Sequence, residues 1–197
     1  MIPRLALAFL LPLAACAANP TPTPPPEISP EASGETDHGA GLAATKTIET
    51  STEGLPVTLT ARLVREDDFK IPFATYAPEG VDYRRLGEGS AVFTSGAARL
   101  EVSVVRDPAQ SLDLEAYARG QISGEGQIRS YESRDAWATA AFSFFSGDEM
   151  GSIRIGRRGD HVVFVLESLP PEMGDGWATT SDVILSEWVW LDNGTGL

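Results

Sequence analysis

From Val57 to Leu63 the chain alternates residue by residue. Val57, Leu59, Ala61 and Leu63 are apolar, and Thr58, Thr60 and Arg62 stand between them. A period of two places four apolar side chains on one face of an extended strand, a pattern that a helix cannot use. The same period returns at Leu100, Val102 and Val104. Half-buried strands need partners and a cover, so the chain from Leu55 onward is read as a sheet with something packed on it.

The remaining signals fill in that plan. Glu66-Asp67-Asp68 reads as a turn and Phe69 to Tyr76 as a second strand, stopped by Pro78-Glu79-Gly80. Val81 to Leu86 reads as a short helical turn, Ala91 to Thr94 as a short strand and Arg99 to Val105 as a firmer one. Ser111 to Ile122 has helical spacing at Leu114, Tyr117, Ala118 and Ile122, with Ser111 as cap. Four strands are expected next, at Gln127 to Ser133, Ala138 to Phe145, Ser152 to Arg157 and His161 to Leu166. Gly147-Asp148 and Gly159-Asp160 supply turns between the last three. Val162 to Leu166 is apolar on both faces, which predicts a central strand covered on both sides. A helix from about Trp177 to Trp190 closes the chain, with Ile184, Trp188 and Leu191 on one stripe. The expected class is α+β: a largely antiparallel sheet of about six or seven strands with helices packed on it. Residues 55–197 form this domain, long enough to bury roughly two-thirds of its unfolded surface.

The chain before Leu55 has a different character. Arg4 precedes an apolar run from Leu5 to Leu13, and Leu13-Ala14-Ala15-Cys16 follows. Nine apolar residues suit an export signal and are too few to span a bilayer. The four residues resemble the lipobox of bacterial lipoproteins. That resemblance implies cleavage after residue 15, a diacylglyceryl group on the Cys16 thiol and acylation of the new N-terminus. Cys16 is the one cysteine in 197 residues, so no disulfide forms within the chain. Ala17 follows it instead of Asp. By the same resemblance this favours the periplasmic face of an outer membrane, if the organism has one, over retention at the inner membrane.

Residues 16–54 are expected to be the lipidated cysteine and a tether. Six of the fourteen prolines lie between Pro20 and Pro30, which favours polyproline II. Residues 31–54 are rich in Glu, Thr, Ser, Gly and Ala, a composition that cannot bury enough apolar surface to order itself. As a flexible coil the tether reaches on the order of 35 Å.

Within the domain, Phe73-Ala74-Thr75-Tyr76-Ala77-Pro78-Glu79-Gly80 is an aromatic strand running into Pro-x-Gly. A strand pair, a helix, a meander and a last helix after Pro170-Pro171 follow it. This order resembles the PsbP-like α/β/α sandwich, whose bacterial members are often lipoproteins. The resemblance covers roughly residues 55–192, with Val81 where a Trp is typical. It implies an adaptor or binding module in place of an enzyme, and it carries over no metal ligand and no cofactor.

The residues themselves offer little chemistry. The chain has no Gly-x-Ser-x-Gly, Ser-x-x-Lys or His-Glu-x-x-His. Its histidines are His38, in the tether, and His161, beside Asp160 at the start of a strand. One domain histidine and no domain cysteine leave zinc without ligands. The acidic clusters at Glu66-Asp67-Asp68, Asp148-Glu149 and Glu172 to Asp175 lack the spacing of a calcium loop. Arg158-Gly159-Asp160 matches an integrin-binding tripeptide and reads better as a hairpin turn. A net charge of −13 argues against nucleic acid. Beyond residue 54, 22 acidic residues face 13 basic ones, which also disfavours docking of the domain on anionic lipid.

Trp190 is the one candidate interface residue. On a helix Trp188 and Trp190 point about 200° apart. Either that helix is sandwiched, with Trp190 against the tether or the first hairpin, or Trp190 is exposed for a partner. The expected function is therefore a non-catalytic adaptor anchored by Cys16 in the cell envelope, with another envelope protein as partner. The alternatives are a small-ligand-binding lipoprotein and, last, an envelope hydrolase without a motif.

Overall fold

A computed structural model describes residues 38–122 and 127–197. By its contacts the chain divides into residues 1–34 and 35–197, and the described residues belong to the second unit. The residues expected to form an export signal, Cys16 and the expected tether up to residue 37 lie outside the described residues.

The domain begins earlier than its alternating pattern. β1 (Thr45–Thr52) falls in the stretch read as tether, and it pairs antiparallel with β2 (Leu55–Glu66) from Thr45↔Arg62 to Thr52↔Leu55. β1 carries little apolar side-chain signal because its strand is held by ladder bonds at a sheet edge and by polar contacts. Glu53 and Gly54 join the two strands with φ of 52° and 79°, the left-handed pair that a tight hairpin requires.

β3 (Phe73–Pro78) pairs with β2 and with the two-residue β11 (Val189–Trp190), giving a four-stranded sheet in the order β1-β2-β3-β11. The expected strand over 69–76 therefore starts only at Phe73. Phe69 and Ile71 are buried without strand pairing, and the Phe69 ring meets Phe73 edge-on at 4.9 Å.

The second sheet has seven strands: β4 (Asp82–Gly87), β5 (Ser90–Ser95), β6 (Ala98–Arg106), β7 (Gln127–Ser130), β8 (Ala138–Ser146), β9 (Glu149–Arg158) and β10 (His161–Leu169). Their spatial order is β4-β5-β6-β10-β9-β8-β7, and every neighbouring pair is antiparallel. The helical turn expected at Val81 to Leu86 is β4, since Tyr83 lies opposite Phe93 and packs its ring at 5.0 Å. β10 is central, as its two-faced apolar run predicts. Val163 and Val165 enter one core, and Val162 and Phe164 the other.

Two helices complete the domain. α1 (Leu114–Gln121) is shorter than expected, because Asp113 is the cap and accepts the Ala116 N–H at 3.0 Å. Ser111 instead donates its N–H to Asp107. α2 (Gly174–Ser186) follows a 3-10 turn at Pro171–Met173. It stops before the tryptophans that the sequence placed on it. Trp188 follows the helix and stacks on Phe73 at 3.9 Å, and Trp190 sits in β11 opposite Phe73. Residues two apart in an extended segment share a face, so both tryptophans turn inward with their rings 5.4 Å apart.

The class is thus α+β and mostly antiparallel, with two sheets where one was expected. The first core lies between the four-stranded sheet, α2 and the β5, β6 and β10 side of the large sheet. The second lies on the opposite face, where α1 covers β8, β9 and β10. The first core lies over β5, β6 and β10 and the second over β8, β9 and β10, which leaves two parts of the large sheet less covered, around exposed Phe145 on one face and around half-buried Ser90 and Glu101 on the other.

Candidate functional site

The two less covered parts differ in chemistry. On the α1 face, over β5 and β6, the sheet presents a closed polar set. Ser90 and Ser103 donate to Glu101 at 2.9 and 3.1 Å, and Arg99 pairs with the same carboxylate. Such a set satisfies itself and stays solvated.

On the α2 face, over β8 and β9 near their turn, the surface is apolar and indented. Phe145 lies opposite Met150 across the hairpin. Its ring is 60% exposed, although strand alternation puts it on the side that faces α2. A groove of about 240 Å³ runs from Phe145 and Met150 to Leu169 on β10 and to Gly174 and Ala178 at the start of α2. The carboxylate of Glu167 and the hydroxyls of Ser143 and Ser152 give it a polar side. A second groove of about 230 Å³ lies beyond Phe145, lined by Gln127 and Arg129 on the edge strand β7. Gly151 lies under the groove: a Cβ there would collide with the Glu167 carbonyl and come within 2.7 Å of the Phe144 ring on the opposite face of the sheet.

Glu167 is held by a buried network. Arg154, on β9 beneath α2, donates to Asp135 at 2.9 Å and reaches Glu167 at 3.5 Å. Ser181 of α2 donates to the other Glu167 oxygen at 2.6 Å. Three carboxylates, those of Asp135, Glu167 and Asp182, surround this one guanidinium. Desolvation pushes the Asp182 carboxyl above its usual value, with Asp135 adding to it and Arg154 opposing. The network pins α2 to the large sheet and leaves negative charge beside the groove.

The sequence-derived candidates fall elsewhere. Trp190 is 2% exposed, so the exposure that would make it an interface is not found. β11 pairing and Trp188 cover it on one side, and Arg158 lies over its ring at 5.2 Å. His161 sits at the start of β10 with Nδ1 2.8 Å from Asp160. Arg158-Gly159-Asp160 forms the β9–β10 turn. Its charged ends are engaged within the domain, Arg158 by Asp192 and Asp160 by Arg106. Asp107 accepts the N–H groups of Leu112 and Ser111 and pairs with Arg157. Burial works against its charge, but these donors outweigh it and hold the carboxyl below its usual range. That is a loop anchor. Among the described residues no group of three or more His, Cys, Asp or Glu is placed to hold a metal ion.

Sequence reasoning missed the groove. The available signal was Phe144-Phe145: adjacent strand residues face opposite ways, so two aromatics in a row put one on each side. Phe144 is buried under the α1 side, and Phe145 finds no cover.

No family model matches the chain. The chain is 28% identical over 119 residues to an alanine–tRNA ligase of Herpetosiphon aurantiacus. That match takes in 60% of this chain and spans 11% of the length of that relative. Among solved structures, the chain is similar to cyanobacterial PsbP from Synechocystis sp. PCC 6803. Identity is 14%, coverage is 72% of this chain and 98% of that one, and the TM-score is 0.44. It is also similar to the Ran-binding protein Mog1p of Saccharomyces cerevisiae, with 9% identity, coverage of 68% and 97%, and a TM-score of 0.45. These are distant likenesses.

Proposed function

We propose that the chain is a lipid-anchored cell-envelope protein. It carries a non-catalytic, PsbP-like binding domain on a short tether and acts as an adaptor for another envelope protein. The observation that carries the anchor is Cys16, the one cysteine of the chain, placed directly after an apolar run and two small residues. Two or three acyl chains on that residue would hold the protein stably where one would not, at about 0.8 kcal/mol per buried CH₂. The PsbP-like assignment rests on the order of elements and on the strand that runs into Pro78-Glu79-Gly80.

The domain's surface supports a binding role. The groove beside Phe145 is open, apolar and supported by a fixed carboxylate. At about 240 Å³ it falls below the roughly 300–1,000 Å³ of small-molecule pockets. That size favours a side chain of a protein partner over a free ligand.

Cell fractionation of a Cys16→Ser variant tests the anchor. The native chain is expected in the membrane fraction, and the variant in the soluble fraction. A variant that stays with the membrane overturns the lipid reading.

A further inference from the structure

The groove has an acidic side and an apolar side, and together they specify what fits. We propose that it receives a short basic segment of a partner protein, in which an apolar side chain packs against Phe145 and a neighbouring lysine or arginine reaches Glu167. The proposal rests on reading the domain as a binding module and names the chemistry of the partner.

Three observations carry it. Phe145 is a large apolar residue at 60% exposure, and it is continuous with the apolar groove wall of Met150, Leu169 and Ala178. Scattered exposed apolar residues are ordinary on a surface; one that extends a groove marks a contact site. Charge complementarity supplies the second. Among the described residues lining the groove none is basic. Glu167 lines it, Asp182 and Asp135 lie behind, and exposed Glu172 stands two residues before Gly174. The one cation among these carboxylates, Arg154, is buried and already paired with two of them. An incoming ammonium or guanidinium therefore meets more carboxylates than the single guanidinium balances. Direction is the third. Arg129 lies on the far side of Phe145, so the cation that pairs with Glu167 is the one on the α2 side of the apolar residue.

The experiment uses the full chain and three fluorescein-labelled, blocked synthetic peptides read by anisotropy. Their cores are Lys-Leu-Phe-Lys, Lys-Ser-Ser-Lys and Glu-Leu-Phe-Glu. The first is expected to bind at least tenfold tighter than either other peptide. It should weaken at least tenfold with Phe145→Ser or Ala178→Arg, and weaken with added salt. Phe145 is exposed, so its replacement keeps the fold, which a thermal melt verifies. Equal binding of Lys-Leu-Phe-Lys and Lys-Ser-Ser-Lys, indifferent to Phe145→Ser, overturns the proposal in favour of loose charge attraction. Phe145-dependent binding of Glu-Leu-Phe-Glu overturns the basic partner while leaving a binding module in place. Failure of every peptide overturns it too. If the chain also sediments as a dimer that Phe145→Ser dissociates, the occupant is a second copy.

Discussion

At the scale of residues, the domain is held by a few buried polar groups whose partners can be named. Thr75 is fully buried, and its hydroxyl donates to the Ile184 carbonyl at 2.5 Å. Glu187 and Trp188 direct their N–H groups to Val183 and Leu185. Thr75 thus serves a carbonyl in the last turn of α2, where helix carbonyls lack intrahelical donors. Thr75→Val keeps the shape and removes the donor. The expected cost is about 1–3 kcal/mol in urea unfolding. Asp182 gives a pH signature. Its folded carboxyl titrates above the ordinary value near 3.8, so the folded state holds its proton more tightly than the unfolded chain. The favourable contribution is full below the ordinary value and is lost as pH rises through the raised one. Asp182→Asn is expected to raise the melting temperature modestly at pH 7, and the difference should vanish as pH falls below 3.8. An Asn variant less stable at pH 7 contradicts this account.

At the scale of elements, alternation was the most legible signal. β2 and β6 stand where their apolar periods place them, β10 where its two-faced apolar run places it, and the Gly159-Asp160 turn is a hairpin. The elements that departed are those decided by what their side chains pack against. β4 has two adjacent arginines and no clear period, and it becomes a strand because Tyr83 meets Phe93. The last helix ends at Ser186 because Trp188 and Trp190 gain more by lining the core on an extended segment than by continuing a helix that would split them. The groove was illegible for the same reason. Its walls come from β8, β9, β10 and α2, and only the Phe144-Phe145 pair hinted at it. Gly151 is where these elements crowd together. Gly151→Ala forces a Cβ into the Glu167 carbonyl and Phe144. It is expected to lower stability by about 1–3 kcal/mol, read by chemical denaturation.

At the scale of the whole molecule, the composition break near Leu55 marks where apolar alternation begins, while the folded unit begins earlier. β1 pairs with β2 from Leu55 to Arg62, Lys46 pairs with Glu187 of the α2 end at 2.6 Å, and the Tyr76 hydroxyl donates to the Ala43 carbonyl at 2.9 Å. A domain begun at residue 55 loses all of this. It is expected to unfold with at least about 2 kcal/mol less stability than one begun at residue 38. Equal stability of the two would make β1 dispensable. A tether that ends nearer residue 38 is also shorter, which holds the domain closer to the membrane if Cys16 is lipidated.

An anchored domain that binds its partner does so through the less covered apolar end of its large sheet. Site-specific photo-crosslinking in living cells tests it most directly, with the photoreactive residue at Ser143 in the groove or at Ser90 on the polar, opposite face. The account predicts one dominant cross-linked protein from Ser143, joined through a basic segment, and none from Ser90. The same products from both positions, or none from Ser143, would contradict it.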